Sequence, residues 1–191
     1  MRSIILASQS PRRKQLLEWA EIPFEVWPAN TDETHPAGMA VEEIPVHIAR
    51  GKALAIAAKK GEQAASIPIL AADTIVVLDN VIMNKPANRQ EAINMLSALS
   101  GRQHRVITGI VILYRGKETA FYDVTFVEFH PLRSGQIEFY VDKYQPYDKA
   151  GAYAIQEWIG VTGIKSITGD FYNVMGLPVS RIIQALEKIT H

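Results

Sequence analysis

Ile4-Ile5-Leu6-Ala7-Ser8-Gln9-Ser10-Pro11-Arg12-Arg13 is the stretch from which the rest of the chain is read. Its short apolar run has the composition of a buried strand, and Ser10 is a good N-cap. Pro11 suits the first helical position, because the N–H it lacks is one a helix leaves unpaired there. The stretch therefore predicts a strand that turns into a helix. Arg12 and Arg13 fall in the first turn, where the positive end of the helix dipole disfavours each cation by roughly 0.3–1 kcal/mol. A bound anion would offset that penalty, so Ser8, Ser10, the free N–H groups of the turn and the two guanidinium groups form a candidate phosphate clamp. An ordinary cap followed by solvated arginines accounts for the same residues. A Ser-Pro-Arg-Arg contact to DNA is a third reading, which the apolar context disfavours.

Working outward, 191 residues are enough for a substantial core in one domain or two closely packed lobes. Twenty basic residues balance twenty acidic ones, so no general attraction for nucleic acid or anionic membrane follows and any anion site has to be local. The absence of cysteine removes disulfides, zinc–thiolate sites and a cysteine nucleophile. Arg2 precedes an apolar run too short for a signal peptide, and no segment approaches a transmembrane span. A cytoplasmic location, with neither nucleic acid nor membrane as partner, is the expectation.

Leu16 and Leu17 lie inward on the first helix, and Phe24-Glu25-Val26-Trp27 alternates like a strand. Residues 30–45 hold Asp32, Glu33, His35, two prolines, Glu42 and Glu43, the composition of an exposed loop that is either functional or merely solvated. A helix over 46–60 follows, with Ile48, Ala49, Ala53 and Ile56 on its apolar face. Lys52, four residues from both Ile48 and Ile56, shares that face, from which a long side chain can also snorkel to water.

Ile69 to Leu78 reads as a strand buried on both faces with Asp73 in its middle. A carboxylate there needs backbone or ionic partners, or a chemical purpose. Asp79-Asn80 is a two-residue hairpin turn into 81–83, and Lys85 follows at the strand end. Asn88 with Glu91 resembles a capping box for a helix to Ser100, stopped by Gly101. Residues 106–113 and 119–129 form a long hairpin around Arg115-Gly116-Lys117, and Ser134 caps a short helix to about Val141. Residues 146–156 mix small residues with Asp148, Lys149, Tyr153 and Gln156, as a pocket lining does. A strand pair at 164–167 and 173–175 precedes a last helix over 179–189. Hairpins together with crossovers predict an α/β protein, a mixed sheet with helices packed on it. No Gly-rich Walker or Rossmann loop and no Gly-x-Ser-x-Gly elbow is present, which disfavours P-loop, dinucleotide and serine hydrolase chemistry.

Ser8-Gln9-Ser10-Pro11-Arg12-Arg13, Ala72-Asp73-Thr74, Lys85-Pro86, Ser100-Gly101-Arg102-Gln103-His104, the run from Asp148 to Gln156, and Gly176-Leu177-Pro178 occur in the order in which the chain resembles the Maf family of nucleoside triphosphate pyrophosphatases. The resemblance covers nearly the whole chain, residues 1–191 as a single Maf-like domain. It implies a two-lobed fold related to the inosine triphosphate pyrophosphatases, with a central cleft. The implied enzyme is a nucleotide diphosphatase that cleaves the α–β phosphoanhydride with a divalent metal, magnesium or manganese. It also implies roles: Asp73 as catalytic base, Ser8, Ser10, Arg13, Lys52 and Lys85 as phosphate ligands, Glu33 with Asp73 at the metal. Arg12, Thr74 and Gln156 match the specificity positions of the branch acting on dTTP and UTP, whereas the 7-methyl-GTP branch typically carries an aromatic residue, Gln and Glu. Gln145 departs from the acidic residue usual before the proline, so no metal role is assigned to it. The alternatives are a nucleotide-binding regulator of cell division without turnover, suggested by the family's link to septum formation, and a pyrophosphatase for 7-methyl-GTP or another non-canonical nucleotide. The expected partner is a nucleoside triphosphate, and the resemblance leaves room for a homodimer.

Overall fold

The computed structural model describes residues 3–61 and 66–190, so Arg2 lies outside the described residues. The opening stretch folds as strand, turn and helix: β1 (Ile4–Leu6) is fully buried, and α1 (Pro11–Trp19) starts on its proline with Ser10 in the N-cap position. Ser10 makes no side-chain cap; its own N–H donates to Ser8 Oγ at 3.2 Å. Leu16 and Leu17 bury the inner side of α1. The chain then returns as β2 (Phe24–Val26), parallel to β1.

After the acidic loop, α2 (Ile44–Lys60) begins two residues before the expected position, because Pro45 occupies its first turn. Ile48, Ala49, Ala53 and Ile56 are buried as the periodicity requires. Strand β3 (Ile69–Leu78) lies parallel to β1, with Ile69 beside Ile5 and Leu70 beside Leu6. Asp79 and Asn80 both take left-handed backbone, φ 49 and 64, the conformation a two-residue hairpin turn demands, and β4 (Val81–Met83) pairs back antiparallel.

Helix α3 (Arg89–Leu99) carries the expected cap: Asn88 Oδ1 accepts the Glu91 N–H at 3.0 Å. Glu91 reaches back one residue further than in a capping box, accepting from Ala87 N at 2.8 Å. Strands β5 (Gln103–Tyr114) and β6 (Lys117–Phe129) flank the Arg115-Gly116 turn. Helix α4 (Ser134–Tyr144) is longer than expected and is capped at Arg133, whose N–H donates to Gln136 Oε1 at 3.0 Å, rather than at Ser134. A 3₁₀ turn (Ala150–Ala152), α5 (Trp158–Gly163) and β7 (Ile164–Thr168) follow, β7 antiparallel to β6.

Residues 173–175 are not a strand. They end a short helix, α6 (Phe171–Met175), nucleated where Asp170 Oδ1 accepts the Tyr172 N–H at 2.7 Å, with Asn173 turned inward to donate to Val106 O and Thr125 Oγ1. Helix α7 (Val179–Thr190) buries Ile182 and Leu186. The hydrogen-bonded order of the mixed sheet is β2-β1-β3-β5-β6-β7, with β4 on β3.

The chain divides into two compact units. The first comprises Met1–Asp73, Thr108–Asp123 and Gly176–His191, the second Thr74–Ile107 and Val124–Met175. In the first, Ile5, Ala7, Val46, Ala49, Ala53, Ile56, Ile69, Ala71 and Val111 form one apolar cluster that joins α2 to the strands.

Candidate active site

Within the first unit the sequence candidates converge. The turn after β1 presents Ser8, whose Oγ accepts from Arg13 Nη1 at 3.2 Å as well as from Ser10 N. Arg13 is not a solvated arginine: it is 8% exposed, and its Nε donates to the carbonyl of Gly176 at 3.0 Å. Burial lowers its pKa below the ordinary value, with Asp73 and Glu33 pulling in the opposite direction. An arginine nevertheless stays charged at neutral pH, so a fixed, desolvated cation stands within electrostatic reach of two carboxylates. Arg12, one residue earlier, is only half-buried.

Lys52 is the meeting point. It is 8% exposed, on the apolar face of α2, and its Nζ lies 2.8 Å from Asp73 Oδ1 and 2.8 Å from Glu33 Oε1. The snorkelling expected of a lone lysine is replaced by a carboxylate–ammonium–carboxylate arrangement, with the Lys52 and Asp73 side chains almost buried and Glu33 half-exposed. Glu33 sits between Asp32 and Thr34, which bracket it: Asp32 accepts both the Thr34 N–H at 3.1 Å and the Thr34 hydroxyl at 3.0 Å. The acidic loop is therefore locally ordered around its functional candidate.

The second unit carries the other candidates. Thr74, next to Asp73 along β3, is half-buried; Lys85 and Gln156 are exposed. Gln145, given no role, takes left-handed backbone at the C-cap of α4, φ 46. In the quoted motifs sequence reasoning passed over one pair: His104 and Tyr153 are both buried and joined Nε2 to hydroxyl at 2.7 Å, with Phe129 stacked on the imidazole. Burial depresses the His104 pKa to about 4 and pushes the Tyr153 hydroxyl up. The signal lay in His104 ending one motif and Tyr153 lying inside another, but no spacing rule linked them.

Among the described residues no group of three or more His, Cys, Asp or Glu is placed to hold a metal ion. Two carboxylates that already converge on one cation, supplemented by phosphate oxygens of a nucleotide, do match the donor set magnesium uses, because that ion keeps several waters and needs only one or two protein carboxylates. Glu33 and Asp73 are donors of the kind a hard divalent cation uses, both engaged by Lys52 Nζ in this structure. No helix among the described residues is long and apolar enough to cross a membrane.

Comparison with known proteins places the chain in a family. The family model for Maf-like protein matches residues 3–189. A dTTP/UTP pyrophosphatase of Cytophaga hutchinsonii is 51% identical over 186 residues, covering 97% of this chain and 84% of that one. Another of Porphyromonas gingivalis is 46% identical over 186 residues, 96% and 92% of the two chains, and one of Halalkalibacterium halodurans is 47% identical over 187 residues, 98% and 96%. A solved nucleoside-triphosphatase, a dITP/XTP pyrophosphatase from Mycobacterium abscessus, aligns at a TM-score of 0.36 and 15% identity over 67% of this chain and 73% of that one, too loosely to bear on the site. From its third residue to almost its last, this chain belongs to the Maf-like protein family.

Proposed function

We propose that this protein hydrolyses dTTP and UTP to the nucleoside monophosphate and pyrophosphate. Two things support the reading: near-full-length similarity to relatives named for that activity, and the gathering of Ser8, Arg13, Lys52, Glu33 and Asp73 in one unit. Cleaving a phosphoanhydride calls for positive charge at the phosphates and a carboxylate to take a proton from water. Arg13 and Lys52 supply the charge from nearly buried positions, where it is less screened than at the surface. Ser8 holds the Arg13 guanidinium and offers a hydroxyl donor of its own. Ser10 and Lys85 complete the set of phosphate ligands.

Lys52 donates to Asp73 Oδ1, and Oδ2 is the oxygen proposed to receive a water's proton. Asp73 takes the proton, the water oxygen bonds to the α-phosphorus, and the α–β bridging bond breaks, pyrophosphate departing with the electron pair. Once Lys52 engages phosphate instead, Glu33 and the Asp73 oxygen that Lys52 holds in this structure would hold a divalent cation, magnesium or manganese, which when bound would neutralise phosphate charge. Arg12, Thr74 and Gln156 set base choice through donors and acceptors matched to a pyrimidine's carbonyls and ring N–H. Incubation with dTTP and Mg²⁺ should yield one pyrophosphate per dTMP, and a chelator should stop it. Release of orthophosphate and dTDP instead would overturn the proposal.

A further inference from the structure

The segment that presents Gln156 is held far more tightly than an exposed specificity residue requires, and a single hydroxyl provides much of the hold. Tyr140, on the inner face of α4, is 0% exposed. Its hydroxyl accepts the Ala154 N–H at 3.1 Å and donates to the carboxylate of Glu157, so one oxygen ties the residue two before Gln156 to the residue one after it. Glu157 is further drawn to Lys149, whose Nζ is 3.5 Å away and whose side chain is buried.

The backbone on either side leaves no slack. Gly151 takes left-handed φ, +68, and a Cβ there would stand 2.9 Å from Val76 Cγ1, on the strand that carries Thr74. The Gly151 N–H also donates to Asn84 O at 3.3 Å. Ala152 follows at φ 60, a conformation a non-glycine residue keeps only when its surroundings impose it. On the far side Gly160 fits against the Ile155 carbonyl, which a Cβ would meet at 1.7 Å. Gly151 thus sets the segment against β3, the Gly160–Ile155 contact closes its far end on itself, and Tyr140 fixes the stretch from 154 to 157.

We propose that Tyr140, acting through Ala154 and Glu157, is a positioning residue for base selection: it sets where Gln156 stands relative to Thr74 and so fixes the preference for a pyrimidine edge. This rests on the assignment of Gln156 to base choice made above. Tyr140 holds Ala154 and Glu157, on either side of Gln156, so its loss should alter discrimination rather than the chemical step.

Tyr140→Phe removes the hydroxyl and leaves the buried Ala154 N–H unpaired. The ratio of kcat/KM for dTTP to that for GTP should fall by roughly tenfold, carried by a rise in KM for dTTP with kcat nearly kept. A purely structural role would lower active enzyme for every nucleotide alike and leave the ratio at the parent value, which would overturn the proposal. Glu157→Ala, on a half-exposed side chain, tests the same clamp should Tyr140→Phe not fold. It should shift the ratio in the same direction, and Glu157→Gln, which keeps an oxygen to accept from Tyr140, should shift it less. Equal ratios in Glu157→Ala and the parent would sink the inference alone. A parent enzyme with no preference for dTTP over GTP would instead overturn the reading of Gln156, and this inference with it.

Discussion

At the scale of single residues, the roles proposed for Asp73 and Arg13 separate catalysis from architecture. Asp73→Asn keeps shape and a hydrogen-bonding oxygen for Lys52, which retains Glu33 as its ionic partner. It should fold normally, shown by an unchanged circular dichroism spectrum, while kcat falls by about 10²–10⁴-fold, the usual effect of losing a general base. Arg13 is different. From sequence it reads as an exposed cation whose removal would spare the fold, but the structure buries it and spends it on Ser8 and the Gly176 carbonyl. Arg13→Ala should therefore lower kcat/KM and also reduce stability by about 2–3 kcal/mol, since it opens space and strands a buried carbonyl. For a chain of this size that is roughly 5–10 °C in Tm by calorimetry. His104 yields a pH prediction. Its folded pKa, about 4, lies below the unfolded value near 6.5 because burial disfavours the imidazolium. Below pH 6.5 the unfolded chain binds the extra proton, so His104 takes stability away progressively as pH falls from 6.5 to about 4 and adds nothing above that window. The loss is on the order of 3 kcal/mol when complete. Chemical denaturation across that window should show a shallower pH slope in His104→Gln than in the parent.

At the scale of elements, the placement of Lys52 depends on how α2 docks. The first turn of α2 rests directly on Gly109 of β5: a Cβ at position 109 would meet Val46 N at 2.2 Å and the Pro45 carbonyl carbon at 2.3 Å. Because these are backbone atoms, they yield only if the helix moves. Gly109→Ala should lower Tm by roughly 3–10 °C, the effect of overpacking by about 1–3 kcal/mol, and should reduce dTTP turnover as Lys52 is carried off Asp73. A parent-like Tm would show that α2 is free to slide. Elements whose physics is local were legible in the sequence: the strand–Ser–Pro entry into α1, the Lys52 face of α2, the Asp79-Asn80 turn and the Asn88 cap. Those fixed by distant contacts were not. Residues 173–175 look like strand residues by composition, yet Asn173 is claimed by Val106 and Thr125 from elsewhere in the chain. The six residues of α5 include two glycines and are too few to show a period, and Ser134 looked a better cap than Arg133 because only the fold brings Gln136 back to the Arg133 N–H.

At the scale of the whole molecule, the candidates fall on both units. Ser8, Ser10, Arg12, Arg13, Glu33, Lys52 and Asp73 belong to the first, Thr74, Lys85 and Gln156 to the second, and Asp73 and Thr74 are neighbours in sequence at one of the points where the chain passes from one unit to the other. Arg13, Lys52 and Asp73 were legible because they stand out in apolar segments, whereas Glu33, in an acidic loop, and Lys85 drew their roles from the family resemblance, and the pairings of Glu33 with Lys52 and of Tyr140 with Glu157 span 17 or more residues and follow no local pattern. With proton removal proposed at Asp73 and base choice at Arg12, Thr74 and Gln156, one enzyme should cleave every substrate it accepts by the same route while sorting bases by the edge they present. Thymine and uracil differ by one methyl group, worth about 0.8 kcal/mol if buried, so dTTP and UTP should be handled within roughly fivefold of each other. A purine offers a larger base with a different edge and leaves donors unpaired, at about 1–3 kcal/mol for each mismatch. The decisive measurement is kcat/KM for pyrophosphate release from dTTP, UTP, CTP, ITP, GTP and 7-methyl-GTP under one set of conditions. dTTP and UTP should stand together at the top with the purine nucleotides at least tenfold below; 7-methyl-GTP or ITP at the top would contradict the assignment of Arg12, Thr74 and Gln156 to a pyrimidine edge.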